Sequence, residues 1–345
     1  MSKMEDNKSI LVIYTGGTIG MIKDEQTGAL MPFNFEHLYK HIPVLKRYPF
    51  QIDFYSFEPL IDSSDMSPAF WIRLAHVIEE KYEMYDGFVV LHGTDTMAYT
   101  ASMLSFMLEN LNKPVILTGS QLPMGMLRTD GRENFITSIE IAAAQKDDTP
   151  VVPEVCVYFE NHLFRGNRTT KFNSQNFNAF LSGNYPPLAE VGIDVKYNYN
   201  SIVKPNFKKL KVSSNLDDNI TILKLYPGIT SQAVESVLNI NNLRAVILES
   251  FGSGNAPSAS WFINELKEAV DRGIIIYNVT QCKEGGVDPE KYQAGLQLIK
   301  IGVISGRDIT TEAAIAKLMY LLGKDYPTAD IKTLLSTSLR GEMSN

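Results

Sequence analysis

Four short clusters of hydroxyls and charges, each just past an apolar run, are where this chain could do chemistry: Thr15-Gly16-Gly17-Thr18-Ile19-Gly20, Asp62-Ser63-Ser64-Asp65, His92-Gly93-Thr94-Asp95-Thr96 and Gly119-Ser120-Gln121. A glycine pair lets the backbone turn sharply and brings main-chain N–H groups close to a ligand, which suits an oxyanion forming beside the Thr18 hydroxyl. Taken alone, such a turn is more often plain strand–loop packing or a phosphate cradle, although the GxGxxG dinucleotide fingerprint is absent. In the third cluster, Thr94 or Asp95 suits the N-cap of a following helix. The Asp95 carboxylate suits a substrate ammonium as well, a charge-assisted contact worth roughly 1.5–3 kcal/mol. His92 reads as a structural strand-end residue.

A fifth segment, Arg165-Gly166-Asn167-Arg168-Thr169-Thr170-Lys171, carries three cations. It reads as a solvated loop, or as a lysine returned to the threonine and aspartate cluster to accept a proton. Burial would lower the lysine pKa and a neighbouring carboxylate would raise it.

These clusters need a scaffold that gathers loop ends. Short apolar runs at 9–14, 51–57, 87–91, 115–118 and 155–159 alternate with amphipathic segments, the pattern of strand–helix–strand units around a mainly parallel sheet. In such sheets the loops leaving the carboxyl ends of the strands build the site. Ser67 before Pro68 marks a helix start, Asp130 and Glu133 have capping-box spacing, and Met97, Ala101, Leu104 and Leu108 follow a helical period. Alternation resumes after 218 with strands at 220–225, 245–249 and 274–277 and helices near 231–238, 257–271 and 311–322, with Gly273 and Gly323 placed for left-handed helix ends. The expected architecture is α/β in two domains: a larger N-terminal one over 1–195 with a mainly parallel sheet and flanking helices, a linker at 196–217, and a smaller α/β domain over 218–345.

A formal charge of −7 over 345 residues, with no long basic run, argues against nucleic acid or an anionic membrane surface as partner and favours a small substrate. Cys156 and Cys282 form no metal or redox spacing. The apolar run at 10–14 is too short for a signal peptide and no stretch reaches membrane-spanning length, so a cytoplasmic location is expected.

Together, TGGTIG, DSSDM, HGTDTMAYTASMLSF, TGSQLP and RGNRTTK, with GSGNAP at 252–257 and TQC at 280–282, resemble the bacterial type I, cytoplasmic L-asparaginase family over essentially the whole chain. The resemblance implies the asparaginase/glutaminase-like fold and hydrolysis of L-asparagine to L-aspartate and ammonia through a covalent acyl-enzyme, without metal or organic cofactor. It implies Thr18 as nucleophile, facing a triad-like group of Thr94, Asp95 and Lys171. Asp62, Ser63 and Ser64 then bind the amino-acid head group, together with Thr94 and Asp95, and Ser120 lines the carboxamide pocket. It further implies a homotetramer built as a dimer of dimers, with Asn255 supplied across the interface, and an allosteric site containing Thr170.

Two positions depart from that family. Ala29, in the lid segment 23–32, stands where relatives carry a tyrosine, and Glu249 stands where an arginine would hold an effector carboxylate. Since carboxylates repel, activation by asparagine at that site is expected to be weak or absent. The rival enzymatic reading is a glutaminase-asparaginase, which needs room for one more methylene, a difference worth roughly 1–3 kcal/mol. A related rival is the ammonia-releasing subunit of transfer-RNA amidation, and the non-enzymatic one is an amino-acid-binding protein that has lost turnover.

Overall fold

The structure, a computed structural model, describes residues 8–23, 30–32, 42, 45, 47–288, 290 and 293–344. The chain divides into two units: 1–182 with 186–212, and 213–345 with 183–185.

The N-terminal unit is built on a sheet of β1 (Ser9–Tyr14), β2 (Gln51–Ser56), β3 (Gly87–Leu91), β4 (Val115–Thr118), β5 (Val155–Phe159), β6 (His162–Arg165), β7 (Ala189–Val191) and β8 (Val195–Tyr197). The spatial order is β8-β7-β6-β5-β4-β3-β1-β2. The first five strands run parallel, and β6, β7 and β8 extend the sheet antiparallel. The core strands β3, β4 and β5 are buried along their whole length, which is why they read in the sequence as unbroken apolar runs. Strand β1 lies between β2 and β3, so the chain leaves it on both sides. That is a topological switch point, where parallel sheets open a crevice at the carboxyl ends of their strands.

Helix α1 (Pro68–Lys81) follows the second cluster, α2 (Met97–Met107) the third and α3 (Gly131–Ala143) the fourth. Helix α2 is buried nearly all round instead of along one stripe. It packs against β5, α1, the turn Gly166–Arg168 and the short strand Thr170–Lys171. This packing carries Lys171 back to the loop that precedes α2. Asp130 stands at the N-cap of α3 but makes no capping bond. Its carboxylate instead accepts from the N–H groups of Gln121 (2.9 Å) and Leu122 (3.2 Å), so the expected capping box gives way to a brace for the fourth cluster.

The expected linker at 196–217 is partly sheet. Strand β8 reaches Tyr197, and Lys211–Val212 pairs antiparallel with Leu108–Glu109.

In the C-terminal unit, β9 (Ile220–Lys224), β10 (Ala245–Ser250), β11 (Ile275–Thr280) and β12 (Ile304–Ser305) form a parallel sheet in sequence order. Its helices are α4 (Ser231–Leu238), α5 (Ser260–Asp271), α6 (Gln293–Lys300), α7 (Thr311–Leu322) and α8 (Thr328–Leu335). Val246, Leu248, Phe262, Leu266 and Ile276 are among the residues of its core. Gly273 has φ +95° as a left-handed helix end requires, whereas Gly323 is right-handed at φ −74°. Gly323 is glycine for space: a Cβ there would stand 2.1 Å from the Asn215 carbonyl oxygen. Among the described residues no helix is long and apolar enough to cross a membrane.

Candidate active site

The loops after β1, β2 and β3 close around a cleft of 230 Å³ lined by Gly17, Thr18, Asp62, Ser63, Thr94 and Asp95, with Tyr14, Met21, Leu60 and Ile61 among the other walls. Glycine makes the loops meet. Gly17, at φ +91°, lies so near the third loop that a Cβ would stand 2.5 Å from the Gly93 nitrogen, and a Cβ on Gly93 would stand 2.4 Å from Ser63 Oγ. A larger depression of 900 Å³, lined by residues including Gln121, Met126, Leu127, Arg128 and Phe177, contains none of the expected catalytic groups.

Thr18 opens a single 3-10 turn, Thr18–Gly20, with Gly17 at its N-cap. At the same cleft, Lys171 Nζ donates to Thr94 Oγ1 (2.8 Å) and to Asp95 Oδ1 (2.5 Å), although these residues lie 77 and 76 positions apart in the chain. Lys171 is 16% exposed and Asp95 65%. Neither Thr94 nor Asp95 caps α2, because Thr96 holds the N-cap position. The structure joins both side chains to Lys171 instead. Thr94 accepts from Lys171, so its own hydroxyl proton remains to be given elsewhere.

Asp62 caps the turn Ser63–Asp65, accepting from the N–H and the hydroxyl of Ser64, each at 2.9 Å. Those bonds hold its carboxyl below the usual range, so it is an anion at neutral pH. Ser64 is exposed with its hydroxyl spent on Asp62, while Ser63 is buried against Gly93. Ser120 is buried and donates to the Leu122 carbonyl (2.7 Å), within its own loop. Ser64, Ser120 and Lys171 are not among the residues lining the cleft, although Lys171 reaches it through its two partners.

Asn255 belongs to the C-terminal unit, in a loop closed by paired backbone bonds with Phe251. Glu249, on β10 in the same unit, accepts from Thr311 Oγ1 (2.7 Å) and lies 3.3 Å from Lys224 Nζ. Thr170 is buried in the N-terminal unit, in a short strand paired with Phe180–Leu181. Ala29 lies outside the described residues, and the flanking Met21–Lys23 and Leu30–Pro32 pair antiparallel.

His92 is fully buried and burial pushes its pKa down to about 4, so it is neutral. Its Nδ1 lies 2.6 Å from the Gly93 carbonyl oxygen and must carry the proton, which leaves Nε2 to accept from the Thr100 hydroxyl at 2.9 Å. Thr100 in turn accepts from Trp71 Nε1 (2.9 Å). In a trans peptide the C=O and N–H point opposite ways. With the Gly93 carbonyl turned onto His92, the Thr94 N–H points away from the imidazole. His92 is thus structural, as its place at a strand end suggests, yet it acts on the third loop. Trp71 and Thr100, on α1 and α2, carry no signal of this role in the sequence, and neither does Asp130.

Residues 9–203 match the family described as Asparaginase, N-terminal, and residues 219–335 the Glutaminase/Asparaginase C-terminal domain. The chain is 45% identical to L-asparaginase 1 of Escherichia coli, over 98% of each chain. It superposes on the crystal structure of L-asparaginase I from Vibrio cholerae with a TM-score of 0.88 at 42% identity, covering 98% of this chain and 100% of that one. It is also 43% identical to the human 60 kDa lysophospholipase, over 98% of this chain and 62% of that protein.

Proposed function

The chain belongs to the asparaginase family, and from that premise we propose that it is a type I L-asparaginase, hydrolysing the side-chain amide of L-asparagine to L-aspartate and ammonia. The observation that carries this reading is one small cleft lined by Thr18, Thr94 and Asp95, with Lys171 hydrogen-bonded to the last two.

The chemistry follows from the walls. Asp62 and Asp95 offer anionic acceptors for an α-ammonium group. Thr18 Oγ attacks the amide carbon, and the charge that develops on the amide oxygen is met by main-chain N–H groups of the glycine turns. The Thr18 hydroxyl proton passes through Thr94, which is hydrogen-bonded to Lys171, to the amide nitrogen as the C–N bond breaks and ammonia leaves, and water then cleaves the aspartyl ester and restores the Thr18 hydroxyl. Thr18 is the preferred nucleophile because its turn surrounds a single carbonyl with a hydroxyl and backbone donors, whereas Thr94 is tied to proton-carrying groups. No metal or organic cofactor enters this scheme.

The same reading makes the protein a cytoplasmic homotetramer, a dimer of dimers, in which Asn255 completes a neighbouring subunit's site. Isolated monomers are then inactive.

Ammonia release from asparagine and from glutamine, compared between wild type and Thr18→Ala, tests the reading. Rapid release from asparagine that Thr18→Ala abolishes is expected. No release by the wild type would sink it, glutamine turnover matching that of asparagine would make it a glutaminase-asparaginase, and an acyl group mapped to Thr94 by mass spectrometry would move the nucleophile.

A further inference from the structure

We infer that Tyr14 is a positioning residue for Thr18, its phenol clamping the nucleophile turn from beneath, and that Gly20 is glycine to admit the Tyr14 ring. The inference rests on the reading of Thr18 as nucleophile.

Tyr14 is the last residue of β1 and lies four positions before Thr18 in the chain. It is 1% exposed and yet forms part of the cleft wall. Its hydroxyl donates to the Gly20 carbonyl oxygen at 3.0 Å and lies 3.5 Å from that of Gly17. The two carbonyls bracket Thr18. A Cβ on Gly20 would stand 2.2 Å from Cζ of the ring and 2.4 Å from its hydroxyl oxygen, so any larger residue would displace the phenol.

The turn needs such a clamp. It is one 3-10 turn of three residues with no side-chain cap. Inside it are the bonds from Gly20 N–H to the Gly17 carbonyl (3.3 Å) and from Met21 N–H to the Thr18 carbonyl. A helix of one turn is not stable by itself, so tertiary contacts must hold it. Ile19, fully buried, anchors the middle, and Tyr14 anchors both ends.

Direction matters as well as rigidity. The Gly17 carbonyl is turned toward Tyr14 and Gly20 N–H, so the N–H of Thr18, in the same trans peptide, points the other way. The clamp therefore sets the direction of the Thr18 backbone donor along with the location of its hydroxyl. Burial raises the phenol pKa to about 12, which keeps the hydroxyl protonated as a donor and excludes Tyr14 as a base for Thr18 at neutral pH. Its role is geometric.

Tyr14→Phe keeps the ring and removes only the hydroxyl. Two measurements on the full-length protein test the inference: kcat and KM for asparagine, and hydrogen exchange of the amides of residues 17–21. In Tyr14→Phe, kcat is expected to fall about 10- to 100-fold, the cost of misplacing a reacting group by an ångström or less, with KM within about twofold and exchange of the turn clearly faster. Gly20→Ala should lose activity to a similar extent. In a Tyr14→Ala background the same change should add no further slowing, because its methyl then has room. Wild-type kcat in Tyr14→Phe, a loss confined to KM, or unchanged exchange would each overturn the clamp. Were the wild type to release no ammonia, the proposed activity would fall, and the exchange measurement would still decide whether Tyr14 holds the turn.

Discussion

Two lysines, one in each unit, meet carboxylates at similar distances in opposite settings. Lys317, on α7, donates to Glu342 Oε1 (2.7 Å) and to the carbonyls of Leu335 (3.1 Å) and Thr337 (2.6 Å). Both charged side chains are 0% exposed. Glu342 in turn accepts from the N–H groups of Leu339 and Arg340. An ammonium has three protons, and all three are spent fastening the C-terminal tail. Burial lowers the Lys317 pKa against the pull of Glu342. Lys171, by contrast, spends its two hydrogen bonds on a hydroxyl and a carboxylate that face the cleft. A cation is free for chemistry when its partners are themselves reactive side chains open to a ligand. One whose partners are main-chain carbonyls in a dry core is a rivet.

The largest test of that contrast is Lys171→Met. Removing a proton-transfer partner costs roughly 10²–10⁴-fold in rate, while a half-open pair contributes only about 0–1 kcal/mol to stability. Ammonia release should therefore collapse with the melting temperature shifted by a few degrees at most. A variant that melts far below the wild type would make Lys171 a rivet too.

Lys317→Met is the mirror image. It leaves Glu342 charged and uncompensated in the core, which costs about 3–5 kcal/mol. Denaturant unfolding should show that loss, and turnover per folded molecule should match the wild type. Normal stability with lost turnover would reverse the assignment of the two lysines.

How far the sequence announces such roles depends on periodicity and reach. The buried parallel strands were legible to within a residue because their apolar runs are continuous: 87–91 and 155–159 match β3 and β5. The antiparallel strands β6, β7 and β8 were not, since His162-Leu163-Phe164-Arg165, Ala189-Glu190-Val191 and Val195-Lys196-Tyr197 are short and mix charge with apolar residues. The hydroxyl-bearing loops stood out by composition, and the structure gathers Thr18, Asp62, Ser63, Thr94 and Asp95 at one cleft. Long-range partners were silent. Nothing local tells that Asp130 braces Gln121 and Leu122 instead of capping α3, or that the Thr100 hydroxyl donates a hydrogen bond to His92.

His92 extends the contrast to a buried base without a charged partner. Its folded pKa, about 4, lies below the ordinary 6.5. The unfolded chain therefore binds more protons between these values, and stability is full above pH 6.5 and declines as pH falls toward 4. Between pH 7 and pH 5 the loss amounts to about 2 kcal/mol. His92→Asn keeps a donor near the Gly93 carbonyl and cannot take up the proton. Its unfolding free energy, lower than wild type at pH 7 for lost packing, should change less by about that amount over the same interval. An acid limb as steep as the wild type's would show that His92 is not what titrates.

The smallest effect expected is at Glu249, a third carboxylate, held by Thr311 and Lys224 inside its own unit. In the family resemblance this position carries the arginine that receives an effector carboxylate. Here an arriving carboxylate would meet a like charge, and two such charges about 4 Å apart repel by about 1–4 kcal/mol across the range from water to a protein surface. The hydroxyl that could have softened the encounter is already given to Glu249. Velocity against asparagine concentration should accordingly be hyperbolic, with a Hill coefficient near 1. The double substitution Glu249→Gln with Lys224→Gln removes the repulsion without leaving a cation unpaired and should leave the curve hyperbolic. A strongly sigmoidal curve that survives this substitution would place effector control elsewhere, and Glu249 would then be one more rivet, akin to Glu342 rather than to Asp95.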